Sequence, residues 1–100
     1  MTPKLIRDKY IDIIEAEALD ITDKTPEVKT LLILDKLEEE AEEFADSGFS
    51  DPKELADLME VVVGWGEMNG FSFEEINKLR EEKREKLGGF KDFVVLNYLP

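Results

Sequence analysis

Apolar residues recur at intervals of three and four through most of this chain, the period of a helix with one buried face. Leu34, Leu37, Ala41 and Phe44 make one stripe, and Leu55, Leu58, Val62 and Trp65 make a second. Start and stop signals bracket the stripes. Thr2-Pro3, Thr25-Pro26 and Asp51-Pro52 each set a capping residue before a proline in the first turn. Ser72 with Glu75 is a capping-box pair, and Gly48, Asn69-Gly70 and Gly88-Gly89 are helix ends. The pattern predicts helices over 2–19, 25–48, 51–70 and 72–89, followed by a short extended tail, "FVVLNYL". Short connections make neighbouring helices antiparallel, so the expectation is an all-α, four-helix bundle-like fold in one domain, residues 1–100.

The acids are placed unusually against these stripes. At about 100° per residue, Glu40 falls roughly 40° from Phe44, and Glu43 roughly 60° beyond it. On the next helix Glu54 sits about 20° beyond Trp65, and Asp57 about 60° further round. Glu38 and Glu42 lie off the stripe on its other side. Each helix thus carries two acids, three residues apart, on the shoulder of its buried face. Antiparallel packing would bring Glu40, Glu43, Glu54 and Asp57 to one point. Four such carboxylates raise one another's pKa unless a cation is present. Oxygen-only donors favour a hard ion such as magnesium, manganese or calcium, and magnesium sites commonly include substrate phosphates. Two ordinary explanations compete: Glu54 as the capping partner of Asp51, and Lys36 with Glu40 as a simple i,i+4 ion pair.

Composition narrows the chemistry. The chain has 100 residues, 42% of them apolar, with neither cysteine nor histidine. Thiolate chemistry, Ser-His triads and His-ligated metals are therefore excluded. Thirteen basic residues against 25 acidic ones give a formal charge of −12, a surface that repels polymeric nucleic acid and anionic membranes. No apolar run approaches membrane-spanning length, and "MTPKLIRDKY" has no apolar signal core, so the expected location is cytoplasmic.

"EEAEE" (39–43) followed by "ELAD" (54–57) resembles the paired acidic signature of the MazG-like nucleotide pyrophosphohydrolases. "KLIRDKYIDII" (4–14) resembles the opening of the phosphoribosyl-ATP pyrophosphohydrolase-like branch, K-L-V-R-D-K-I-P-E-I-I, with Ile11 where that branch has proline. "KREKLGGF" (83–90) resembles the branch's basic helix end and Gly-Gly-Phe turn. The three matches come in order and span nearly the whole chain. The resemblance implies an all-α, magnesium-dependent enzyme, a homodimer or homotetramer, that splits nucleoside triphosphates into monophosphate and pyrophosphate. It implies Glu40, Glu43, Glu54 and Asp57 as metal ligands, with Glu39 a further ligand or the group that orients the attacking water.

Lys4, Arg7, Ile11 and Ile14 recur on one face of the first expected helix, which gives Arg7 either a glutamate or a substrate phosphate as partner. With Lys36 and the cations of the last helix, Arg80, Lys83 and Arg84, they are the candidates for binding nucleotide phosphates. Cations also suit a helix C-terminus for its dipole, and Gly88-Gly89 is accounted for as a cap. Trp65, Phe44 and Phe71 read as core or subunit interface in preference to base-stacking platforms. Trp65, Met68, Phe71 and Phe73 cluster where more apolar surface accumulates than one bundle needs, which points to at least a dimer. The competing reading is a non-enzymatic acidic helical module that binds a partner.

Overall fold

The computed structural model describes residues 4–12 and 25–97, which contain three α-helices and no strand. Helix α1 spans Pro26–Asp46, α2 Pro52–Met68 and α3 Phe73–Leu87. Their ends follow the local chemistry closely. Thr25 is extended and its side chain accepts from the Val28 N–H, with Pro26 at the first helical position. Ser72 caps α3 by accepting from the Glu75 N–H at 3.2 Å, while its hydroxyl lies 3.3 Å from Glu75 Oε1. Gly88 ends α3 at φ 83°, a backbone conformation that a Cβ disfavours, and its N–H donates to the Arg84 carbonyl.

The N-terminal segment departs from the expected helix. Lys4 to Arg7 have no regular structure, and Asp8–Asp12 forms a 3-10 helix opened by Tyr10 N donating to Arg7 O at 3.0 Å. Lys4 and Arg7 therefore do not stand on one α-helical face. The Thr2-Pro3 cap, Ile14 and the rest of the expected first helix lie outside the described residues. At the other end, residues 93–97 are irregular and exposed, with Phe93 83% exposed and Val94 91%.

The chain divides into two compact units, Met1–Trp65 and Gly66–Pro100. In the first, α1 and α2 are joined by the five residues Ser47 to Asp51, and Glu40 of α1 meets Glu54 and Asp57 of α2, so the two form a helical hairpin. Phe44 and Phe49 meet edge to face at the turn, ring centroids 5.5 Å apart. In the second unit, Gly66 lies so close to the Ile76 side chain that a Cβ there would collide with it. Of the expected interface aromatics, Trp65 is half-buried, while Phe71 and Phe73 are exposed, as is Met68.

The buried faces differ from those drawn on the wheel. On α1 the buried and half-buried positions include Ile33, Lys36, Leu37, Glu40 and Phe44 on one face, with Val28, Leu32, Glu39 and Ala45 also half-buried, while Leu34 and Ala41 are exposed. On α2 they are Glu54, Asp57, Leu58, Val61 and Trp65, while Leu55 and Val62 are exposed. Both faces have turned by about 60° toward the acids. The reason lies in "LLIL", residues 31–34, and "VVV", residues 61–63: each helix carries an apolar arc wider than one partner helix can cover. Packing uses one edge of that arc and leaves the other edge in solvent.

This rotation is testable by stability. Ile33 is 3% exposed and Leu31 is 62% exposed. Ile33→Ala should cost about 2–4 kcal/mol, and Leu31→Ala well under about 1 kcal/mol. Equal shifts of the urea midpoint would contradict the observed face.

Candidate metal centre

Because α1 and α2 turn Glu40, Glu54 and Asp57 inward, Glu40 is a core residue and not a shoulder residue, while Glu43 stays exposed. It is 7% exposed and is, with Ile33 and Val61, one of the three buried positions among the described residues. A carboxylate at such a place needs strong compensation, since desolvating an unpaired charge costs several kcal/mol. Two carboxylate groups form around it. Glu39, Glu40 and Glu43 each offer an oxygen within 4.8 Å of the others, and Glu40, Glu54 and Asp57 do the same. Glu40 belongs to both. The four residues picked out on the sequence thus fall into two groups that share Glu40, with Glu43 grouped with Glu39 and Glu40 and not with Glu54 and Asp57.

Neither ordinary explanation removes the acids from this site. The Asp51 N–H that a capping box would give to Glu54 donates instead to Ser47 Oγ at 3.3 Å, and Asp51 Oδ1 accepts from Lys53 N at 3.0 Å. Glu54 is left half-buried, and its Oε2 accepts no hydrogen bond. The Lys36–Glu40 ion pair does form, Nζ to Oε1 at 3.3 Å, and Lys36 also lies 3.5 Å from Glu39 Oε2. It satisfies one oxygen of Glu40 only; the buried Oε2 has no partner. Two desolvated carboxylate oxygens with unused lone pairs suit a hard divalent cation, which is bound through oxygen.

Two further cations reach the cluster from the N-terminal segment. Lys4 Nζ lies 3.0 Å from Glu39 Oε1, and Arg7 Nη2 donates to Asp57 Oδ1 at 2.7 Å. Arg7 therefore takes a carboxylate partner, and more than half of its side chain is exposed. Lys4, Arg7 and Lys36 thus surround the carboxylates, a placement that their sequence spacing did not reveal because it had put the first two on an α-helix. Arg80, Lys83 and Arg84 stand on α3 in the second unit. There Arg80 donates to Asn77 Oδ1 at 3.0 Å and lies 3.7 Å from Glu81.

The cluster's electrostatics separate its members. Glu43 shares a hydrogen bond with the Glu40 carboxyl and is repelled by Glu40, Glu39 and Glu54, which together with slight desolvation push it above the ordinary glutamate range. The Lys4 hydrogen bond holds Glu39 below that range, against a smaller opposing effect of burial and with help from Lys36. Lys4 is raised in turn by Glu39.

A pH dependence follows for the metal-free protein. A carboxyl raised in the folded state binds more protons there than in the unfolded chain, so Glu43 adds stability as pH falls through its raised pKa. Glu39, depressed, gives stability that is present above the ordinary glutamate pKa and lost as pH falls through its lowered value. Urea midpoints measured in EDTA should therefore rise on mild acidification before they fall. Glu43→Gln should remove the rise; a rise unchanged in that variant would show that Glu43 is not its source.

No protein-family model matches the chain, and no curated protein or solved structure matches it either. The acidic cluster, held by α1 and α2 around Glu40, is what the chain offers as a divalent-metal site.

Proposed function

We propose that this protein is a magnesium-dependent nucleotide pyrophosphohydrolase of the MazG-like superfamily, in its phosphoribosyl-ATP pyrophosphohydrolase-like branch and bundle fold. It would cleave a nucleoside triphosphate or related nucleotide to the monophosphate and pyrophosphate. The observation that carries this reading is the buried Glu40 carboxylate, common to two carboxylate groups and only half compensated by Lys36.

Glu40, Glu43, Glu54 and Asp57 would hold the metal. Bound there, magnesium supplies charge neutralisation on the phosphate chain and lowers the pKa of a coordinated water. Glu39, beside Glu40 and Glu43 and paired along its own helix with Lys36, is placed to accept a proton from attacking water. Lys36 keeps Glu40 in position along α1. Lys4 and Arg7, at the exposed side of the cluster, are the nearest cations for an anionic leaving group. Arg80, Lys83 and Arg84 enter this reading through the sequence resemblance alone. The exposed apolar edges of α1 and α2, Leu31, Leu34, Leu55, Met59 and Val62, support a homodimer or homotetramer, because a second copy would cover them.

The same exposed residues, with Phe90, Phe93 and Val94, favour the second reading, an acidic module that binds a partner. Metal titration separates the two. At a tenfold excess over its Kd, magnesium should stabilise the enzyme by about 1.4 kcal/mol, a Tm rise of about 5–10 °C for a chain of this size. A partner-binding module should show no such rise. Phosphorus NMR of a nucleotide panel should show pyrophosphate growing with monophosphate. Glu40→Gln should lower turnover by more than about 100-fold, beyond the loss typical of an outer-shell partner. Orthophosphate without pyrophosphate would refute the assignment.

A further inference from the structure

Lys4 and Arg7 are three residues apart on an irregular segment, yet they engage different helices and different carboxylate groups. Lys4 takes Glu39 of α1, a member of the Glu39–Glu40–Glu43 group. Arg7 takes Asp57 of α2, a member of the Glu40–Glu54–Asp57 group. One short segment thus lays a cation on each group from outside. Lys36 is different in kind: it pairs within its own helix at i,i+3 and i,i+4, and its side chain is largely buried. The Lys4 and Arg7 side chains are more than half exposed, so water competes for both pairs and their hold is weak.

We propose that the segment from Lys4 to Arg7 is a displaceable strap, whose two cations neutralise the outer carboxylates in the metal-free protein and leave Glu39 and Asp57 when a divalent cation occupies the cluster. Metal loading and release of the N-terminal segment are then one equilibrium, and each weakens or strengthens the other by the same factor. The metal-free cluster avoids bare repulsion among five acids, and the loaded site gains two freed cations at its exposed side. This rests on the metal-site reading of the cluster.

Manganese provides the probe, because free Mn2+ is counted directly by its paramagnetic resonance signal. Each exposed ion pair is worth up to a few-fold in an equilibrium. Lys4→Gln/Arg7→Gln should therefore bind Mn2+ about five-fold tighter than Lys86→Gln/Lys91→Gln. That control loses the same two charges at exposed positions of the second unit. In the unaltered protein, trypsin should cut after Lys4 and Arg7 about three-fold faster or more when Mn2+ is added, since a side chain must leave its ion pair to enter the protease. Mn2+ binding with equal affinity in both double variants overturns the strap and leaves the metal site standing. Cleavage that Mn2+ slows or leaves unchanged after Lys4 and Arg7 does the same, even if a variant fails to fold. No Mn2+ binding by the unaltered protein overturns the metal site and the strap together.

Discussion

A carboxylate buried between α1 and α2, along with Ile33 and Val61, is the constraint around which the two helices are organised. Glu40 cannot be moved to solvent without also turning Ile33, Leu37 and Phe44 away from α2, because all four share one face of α1. The helix must accept the acid with the apolar residues or lose both. The same holds on α2, where Glu54 and Asp57 share the inner face with Leu58 and Val61. Burial of the apolar side chains therefore drives the acids together, and the hydrophobic effect supplies what charge repulsion opposes.

Magnitudes show how far the polypeptide compensates its own cluster. Exposed pairs such as Lys4–Glu39 and Arg7–Asp57 contribute about 0.2–1 kcal/mol each. A buried polar atom left without a partner costs about 1–3 kcal/mol, and more when charged, and Glu40 and Glu54 each contain one. The cost of the two unpartnered oxygens, about 2–6 kcal/mol, exceeds the roughly 0.4–2 kcal/mol that the two pairs contribute. A cluster left with that deficit has free energy to gain from a cation. This is the physical content of the metal reading, and it is why the acids are not simply a solvated face: Glu38 and Glu42, which are one, are exposed and need no partner.

The apolar surface left outside follows from the same rotation. Turning the inner faces toward the acids withdraws Leu34, Leu55 and Val62 from the hairpin's interior. The chain thus exposes carbon where a wheel would have buried it and buries oxygen where a wheel would have exposed it. An acidic site and an apolar outer edge are two consequences of one choice of packing face.

Local chemistry alone determined the helices from residue 25 onward. Thr25-Pro26, Asp51-Pro52, Ser72 and Gly88 set the ends of α1, α2 and α3 because capping and φ preferences act over one turn and need no distant partner. The position of Glu40 on α1, and the three-residue spacing of Glu54 with Asp57 on α2, likewise made their approach legible, since an antiparallel hairpin brings matching faces together. The first helix was not legible: four residues there have no regular structure and Asp8–Asp12 is a 3-10 helix, although the periodicity suited an α-helix. Which edge of each apolar arc would be buried was not legible either. "LLIL" offers a helix several equivalent inner faces, and only the partner helix selects one. That selection decided whether Glu40 lies beside the core or within it, because a wheel ranks residues by their own hydrophobicity while packing ranks whole faces.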